Sequence, residues 1–253
     1  MKDTHITKKA PRRALRGLLV IGALLFLLFG VGALWDESRQ SSASDFEIPT
    51  LPAGEDAPRS GDVDFAGLRR DAPQALAWLT VPGTQIDYPV VQWTDNQFFL
   101  NRTARYESSR YGAIFMDYRN SGDFTDFYTV IYGHNMRSGK MFGALREFRE
   151  SAFFDRIKYG SLHTPDRTYQ LQFFAFVLTD SSTGGYYNHL AFVTPSEKEA
   201  FIDMVKRTAG RWRNVPLGPK DRIVALSTCL ASTGDKRILL LAKLVEPAES
   251  PLT

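Results

Sequence analysis

The sequence predicts a mainly β domain, a small barrel with few helices, standing behind an N-terminal membrane segment. Two observations carry the barrel. Short β-branched and aromatic runs recur at near-regular spacing from about residue 86 to residue 245. Helical patterns between them are few, which disfavours a parallel α/β sheet. The 253-residue length leaves enough chain for one core of about 100–200 residues after the N-terminal segments are set aside.

The elements follow in order. Residues 1–16 form a basic segment, and residues 17–35 (Gly17 to Trp35) are an uncharged apolar run. Such a run is long enough to cross a bilayer as a helix of about 20 residues. Six basic side chains precede it and Asp36 and Glu37 follow, so the positive-inside rule puts the N-terminus in the cytoplasm and the rest outside. A cleaved signal peptide is the rival, with Ser42-Ala43-Ser44 as its site. The run exceeds the usual 7–15 apolar residues of a signal core, which favours a retained single-pass anchor in the cell membrane. Residues 36–62 are rich in Ser, Pro, Gly and acids and read as an extracytoplasmic linker.

The folded domain is expected over residues 63–246, with residues 247–253 as a tail. Asp64 to Leu68 reads as a short helix and Ala75 to Leu79 as a second. Ile86–Gln92, Ala113–Met116, Tyr128–Tyr132, Thr168–Phe173, Arg222–Ser227 and Arg237–Val245 read as strands, the fourth with clear period-two alternation. Met141–Phe148 places Phe142, Leu145 and Phe148 on one helical stripe. Pro195–Ala209 is the best-marked helix: Thr194 and Glu197 match a capping box, Pro195 suits the first turn and Gly210 the stop.

Charge narrows the function. From totals of 31 basic and 28 acidic residues, the first 35 positions take six and one, leaving 25 against 27. The exported part is therefore slightly acidic, with no polycationic surface for nucleic acid. No His/Cys/acid cluster with metal-ligand spacing and no Gly-rich phosphate loop occurs, so neither metal nor cofactor is expected.

One cysteine, Cys229, rules out an intramolecular disulfide. It ends the apolar strand Ile223-Val224-Ala225-Leu226 after Ser227-Thr228, where a side chain can meet a cleft. A structural cysteine more often sits within the apolar run. Arg237 opens the next strand, so antiparallel pairing would bring it to the same sheet end, where a guanidinium can stabilise a thiolate or an oxyanion. Of four histidines, His5 falls on the cytoplasmic side, His163 reads as a turn residue and His189 as a loop residue. His134 instead follows strand Tyr128–Tyr132 and Gly133, and an imidazole at a strand end is the usual proton carrier for a cysteine nucleophile.

The words Thr129-Val130-Ile131-Tyr132-Gly133-His134-Asn135-Met136, Leu226-Ser227-Thr228-Cys229 and Arg237 before a strand resemble the three catalytic motifs of sortases. The resemblance narrows to class B through Ile86 to Gln92, Asp95-Asn96, Gly112 to Asn120, Met141-Phe142 and the inserted helix at Pro195–Ala209, all colinear. It implies a closed barrel of about eight strands with N-terminal helices packed against it. It also implies a membrane-anchored cysteine transpeptidase that cuts a C-terminal sorting motif after threonine and passes the acyl group to an amine, anchoring surface proteins to peptidoglycan. Cys229 would form the thioacyl enzyme, His134 would move the proton, and Arg237 would hold the oxyanion. Asn96, Tyr132, Ser227 and Tyr186 or Tyr187 correspond to groove-lining positions. Each also has a plain reading, Asn96 as turn former, Tyr132 as core and Ser227 as strand hydroxyl. The chain departs from the family pattern in Leu230-Ala231 after the cysteine, where an acid is common, and in its short link to Arg237. A pilin-polymerising sortase, an exported cysteine protease and a non-catalytic wall-binding barrel are the alternatives.

Overall fold

The computed structural model describes residues 63–182, 185–229 (backbone only at Cys229) and 235–246. Of the separate N-terminal unit, residues 1–42, it describes Gly22, Ala23 and Phe26, all helical. The expected basic segment with His5, most of the apolar run 17–35, the linker 36–62 and the tail 247–253 lie outside the described residues. Among the described residues no helix is long and apolar enough to cross a membrane.

Among the described residues nine strands form one sheet: β1 Ala75–Val81, β2 Ile86–Val91, β3 Ile114–Met116, β4 Tyr128–Tyr132, β5 Tyr159–His163, β6 Thr168–Asp180, β7 Arg211–Trp212, β8 Arg222–Cys229 and β9 Lys236–Val245. The order β5-β1-β2-β3-β4-β8-β9-β6 closes on itself because β6 also pairs β5, giving an eight-stranded barrel with β7 added at β6. Two neighbours are parallel, β2 with β3 and β4 with β8. The remaining pairs are antiparallel.

Period-two alternation sorts side chains between two environments. Val224 and Leu226 of β8 and Ile238, Leu240 and Ala242 of β9 fill the barrel interior with Leu79, Phe142, Phe148 and Phe173. Ile223, Ala225, Leu239 and Leu241 face outward under α3 (Pro195–Thr208), packing with Phe201 and Val205. That helix begins as expected: the Thr194 hydroxyl accepts from the Glu197 N–H, and the Glu197 carboxylate accepts from the Thr194 N–H. On the other flank α1 (Phe65–Asp71) covers Trp78, Val91, Phe99 and Phe115.

The structure departs from several expectations. Ala75–Leu79 is strand, because it has a partner on each side, β2 and β5. A register irregularity between Ala75 and Ala77 turns Ala75 outward while Ala77, Leu79 and Val81 point inward. The Phe142, Leu145 and Phe148 stripe lies at a 3-10 turn, Gly143–Arg149, whose period of three residues places those side chains on one edge. Strand β5 was not anticipated, and His163 closes it, bonding Thr168 Oγ1 through Nδ1 at 2.9 Å. Strand β6 runs seven residues beyond Phe173. A bulge between Phe173 and Ala175 puts Phe174 and Ala175 both on the α3 side, after which alternation resumes. Buried on both faces, Phe173–Val177 lose their polar alternation and with it the strand signature. A six-residue helix α2, Ser151–Arg156, also went unpredicted.

Candidate active site

Parallel β4 and β8 run in register to Tyr132 opposite Ser227, so they finish at the same barrel end. Gly133 and His134 continue from β4, while Thr228 and Cys229 complete β8. Strand β9 returns antiparallel with the Arg237 Cα opposite that of Cys229. Three adjacent strands thus bring the backbones of His134, Cys229 and Arg237 to one end. A cavity of about 280 Å³ opens there, bordered by His134, Ser227, Thr228 and Arg237.

His134 is half-buried, and its orientation is built from the backbone. Its Nε2 lies 2.8 Å from the Leu100 carbonyl oxygen. A carbonyl only accepts, so Nε2 carries the proton and Nδ1 of the neutral ring keeps the lone pair. Two glycines make this packing possible. A Cβ on Gly133 would lie 2.4 Å from Ile114 Cδ1 and 2.8 Å from the Phe142 ring. Gly112, at φ +60°, passes beneath the site, where a Cβ would meet the Phe99 and Leu100 carbonyls at 2.5 and 2.7 Å and His134 Cδ2 at 3.1 Å.

The cavity walls come from separate parts of the chain. Asn96, Leu100 and Phe115 line it, and so do Tyr132 and Tyr187, whose rings stack with centroids 6.2 Å apart. Tyr187 belongs to the segment between β6 and α3 and is tied to the barrel through a 2.8 Å hydrogen bond between its hydroxyl and Ser227 Oγ. Its neighbour Tyr186 faces away: it is buried in the core under α3, with its hydroxyl 2.5 Å from Thr208 Oγ1. Among the described residues the cavity lining includes Tyr187 and not Tyr186, which packs in the core under α3. The buried Thr228 hydroxyl borders the cavity with no hydrogen-bond partner among the described residues. Arg237 is half-buried at the rim, with Nη1 donating to the Lys236 carbonyl at 3.2 Å.

Behind this wall stands Asp117, a residue without a place among the expected site positions. Its carboxylate is fully buried and accepts from Arg119, Tyr132 and Asn96. Burial pushes its pKa up, but the hydrogen bonds, Arg119 foremost, outweigh this and hold it below the ordinary carboxylate value. Burial also pushes the Tyr132 phenol well above its ordinary value, as does the adjacent Asp117 charge. An acid followed two residues later by Arg119 was the only signal in the sequence. Nothing local pointed to Asn96, 21 residues away. Leu100, Phe115 and Ser181 were missed in the same way, being brought to the cavity by folding alone.

Comparison with known proteins agrees with this architecture. The family model described as a sortase domain matches residues 79–245. The chain is 32% identical over 216 residues to sortase B of Listeria monocytogenes, covering 84% of this chain and 87% of that protein. The structure of a Staphylococcus aureus sortase B–substrate complex superposes with a TM-score of 0.68 at 31% identity, covering 73% of this chain and 85% of that one. A Streptococcus pyogenes class B sortase involved in pilus biogenesis superposes with a TM-score of 0.65 at 34% identity, covering 72% and 98%.

Proposed function

Because the chain belongs to the sortase family, as a class B member and hence a cysteine transpeptidase, we propose that Cys229 is its nucleophile, His134 its acid and base, and Arg237 its oxyanion donor. The reading rests on one observation, the meeting of the β4, β8 and β9 ends at a single cavity. Nδ1 of His134 takes the Cys229 thiol proton, the thiolate attacks the carbonyl carbon of the residue before the scissile bond, and the carbonyl oxygen takes the negative charge beside Arg237. As the C–N bond breaks, His134 delivers its proton to the leaving amine, leaving a thioester on Cys229. An incoming amine then attacks the thioester, His134 takes its proton, and the thiolate departs. With Nε2 held by the Leu100 carbonyl, Nδ1 is the nitrogen that exchanges protons.

Asn96, Tyr132, Ser227 and Tyr187 line the groove that takes the sorting peptide. The substrates are surface proteins cut after threonine, and the acceptor is an amine of the peptidoglycan or its precursor. Residues 17–35 anchor the chain in the cell membrane, with the barrel outside.

A panel of sorting peptides, incubated with the protein and followed by mass spectrometry, tests this directly. A cognate peptide should add its acyl portion to Cys229 and then pass it to a peptidoglycan-type amine. Cys229→Ala should abolish both events with an unchanged melting temperature. Substantial turnover by that variant would end the covalent mechanism, and transfer only to a pilin-type lysine would move the acceptor to pilus assembly.

A further inference from the structure

Asp117 follows β3 and lies outside the cavity, yet two residues lining that cavity end on it. Oδ2 accepts from Asn96 Nδ2 at 2.9 Å, from the Tyr132 hydroxyl at 2.9 Å and from Arg119 Nη2 at 2.8 Å. Oδ1 accepts from the Arg119 N–H at 3.0 Å and from Arg119 Nε at 2.9 Å. All five partners are donors, enough to occupy the acceptor sites of an ionised carboxylate. The guanidinium beside it offsets the charge that burial would otherwise disfavour. The backbone here is also pinned, since the Asp117 N–H donates to the Val130 carbonyl at 2.9 Å and Gln92 Nε2 donates to the Asp117 carbonyl at 2.9 Å.

This arrangement dictates what the wall can offer. Facing an acceptor that cannot donate, Asn96 must turn its amide nitrogen to Asp117, and its Oδ1 accepts from the Tyr118 N–H at 3.0 Å. One N–H of Asn96 is left over. Tyr132 must spend its only proton on Asp117, so its hydroxyl can meet a groove ligand only as an acceptor. A free Asn–Tyr pair could present either polarity, because an amide can flip and a hydroxyl can rotate.

We propose that Asp117 is a positioning residue that locks the groove wall into one polarity, an Asn96 N–H donor beside a Tyr132 hydroxyl acceptor. That pattern fits an extended peptide presenting a carbonyl to Asn96 and an N–H to Tyr132. The inference rests on the transpeptidase reading for the identity of the ligand, though not for the lock itself.

Asp117→Asn tests it with little change in shape, replacing one acceptor by an NH₂ that faces existing donors. Three readouts apply to the full chain in detergent. With selective ¹⁵N-asparagine labelling, one Asn96 side-chain amide proton should resonate downfield in the wild type and lose that shift in the variant. KM for the cognate sorting peptide should rise about tenfold or more while kcat changes less than about threefold, as expected when ground-state and transition-state binding fall together. Alkylation of Cys229 by iodoacetamide should keep its rate. Tyr132→Phe should raise KM in the wild type and add little in the Asp117→Asn background, because the hydroxyl has already lost its orientation.

An unchanged Asn96 amide with unchanged KM overturns the proposal. So does a KM effect of Tyr132→Phe that is fully additive with Asp117→Asn, and so does a collapse of Cys229 alkylation, which would make the residue a plain structural support. If Asp117→Asn does not fold, Asp117→Asn/Arg119→Gln removes both charges together and is read the same way. If no peptide acylates the wild type, the transpeptidase reading fails, while the Asn96 resonance still decides whether Asp117 holds the wall.

Discussion

Arg237 illustrates how little a single position says alone. As an isolated cation at a strand edge it would be a solvated charge, but its register opposite Cys229 puts it at the cavity rim. If it supplies directed hydrogen bonds to an oxyanion, the planar fork matters as well as the charge. Arg237→Lys and Arg237→Ala should then both lose about 10²-fold in single-turnover acylation, with peptide affinity less affected. A lysine variant at wild-type speed would reduce the role to charge alone, and a fully active alanine variant would remove Arg237 from the chemistry. His134 makes the same point from the other side. Its ring is oriented by a backbone carbonyl, that of Leu100, so no side-chain substitution at Leu100 deletes the contact outright.

At the scale of elements, the well-capped helix α3 has no part in the cavity and serves the sheet behind it. It covers the outward residues of β8 and β9, with Phe201 and Val205 as its buried anchors. Its N-terminus is exposed, and the reciprocal bonds between Thr194 and Glu197 satisfy donors that the first turn leaves open. Thr194→Ala should therefore cost about 1 kcal/mol of stability and lower the melting temperature by a few degrees. Turnover below the transition should stay at the wild-type level. A matching loss of activity in folded protein would show that α3 also controls the adjoining Tyr187 segment. That segment meets the barrel at the 2.8 Å contact between Tyr187 and Ser227, a polar tie between a connecting segment and the cavity end of β8.

Among the described residues Asp117 is a fully buried carboxylate, and its ionisation bears on the acid stability of the whole fold. Hydrogen bonds, Arg119 foremost among them, depress the folded-state pKa despite burial, which acts in the opposite direction. The unfolded chain binds a proton at about pH 3.9, so the stabilisation is fully present above that value and is lost as pH falls through the lower folded value. Chemical denaturation between pH 6 and pH 2.5 should show stability falling below about pH 4, with a shallower fall in Asp117→Asn. Equal slopes in the two proteins would assign the acid limb to other carboxylates. Topology across the membrane is testable at the same scale. Protease shaving of intact cells should remove the barrel and leave an N-terminal membrane fragment containing residues 17–35. A mature chain beginning near Asp45 would instead identify that segment as a cleaved signal.

Local pattern was enough for much of this protein. The apolar strands around Val130, Val224 and Leu240, the capped helix after Thr194, and the single cysteine at a strand end are all written in runs of a few neighbouring residues. Period-two burial and capping chemistry act over that same short range, so they are legible in order along the chain. The motif words around His134, Cys229 and Arg237 added the closed barrel and the reaction class. What local pattern could not reach was everything decided by pairing across the chain. Ala75–Val81 became strand because β2 and β5 flank it, and the apolar run Phe173–Val177 of β6 hid its alternation because α3 buries its outer face. Tyr186 and Tyr187 are indistinguishable as neighbours, yet one enters a core and the other a cavity. Asp117 reaches Asn96 and Tyr132 only when β3, β4 and the 95–100 segment converge, and the Leu100 carbonyl finds His134 by the same convergence. Such contacts depend on which distant segments the closed sheet brings within about 3 Å, a distance that hydrogen bonding requires and that spacing along the chain does not encode.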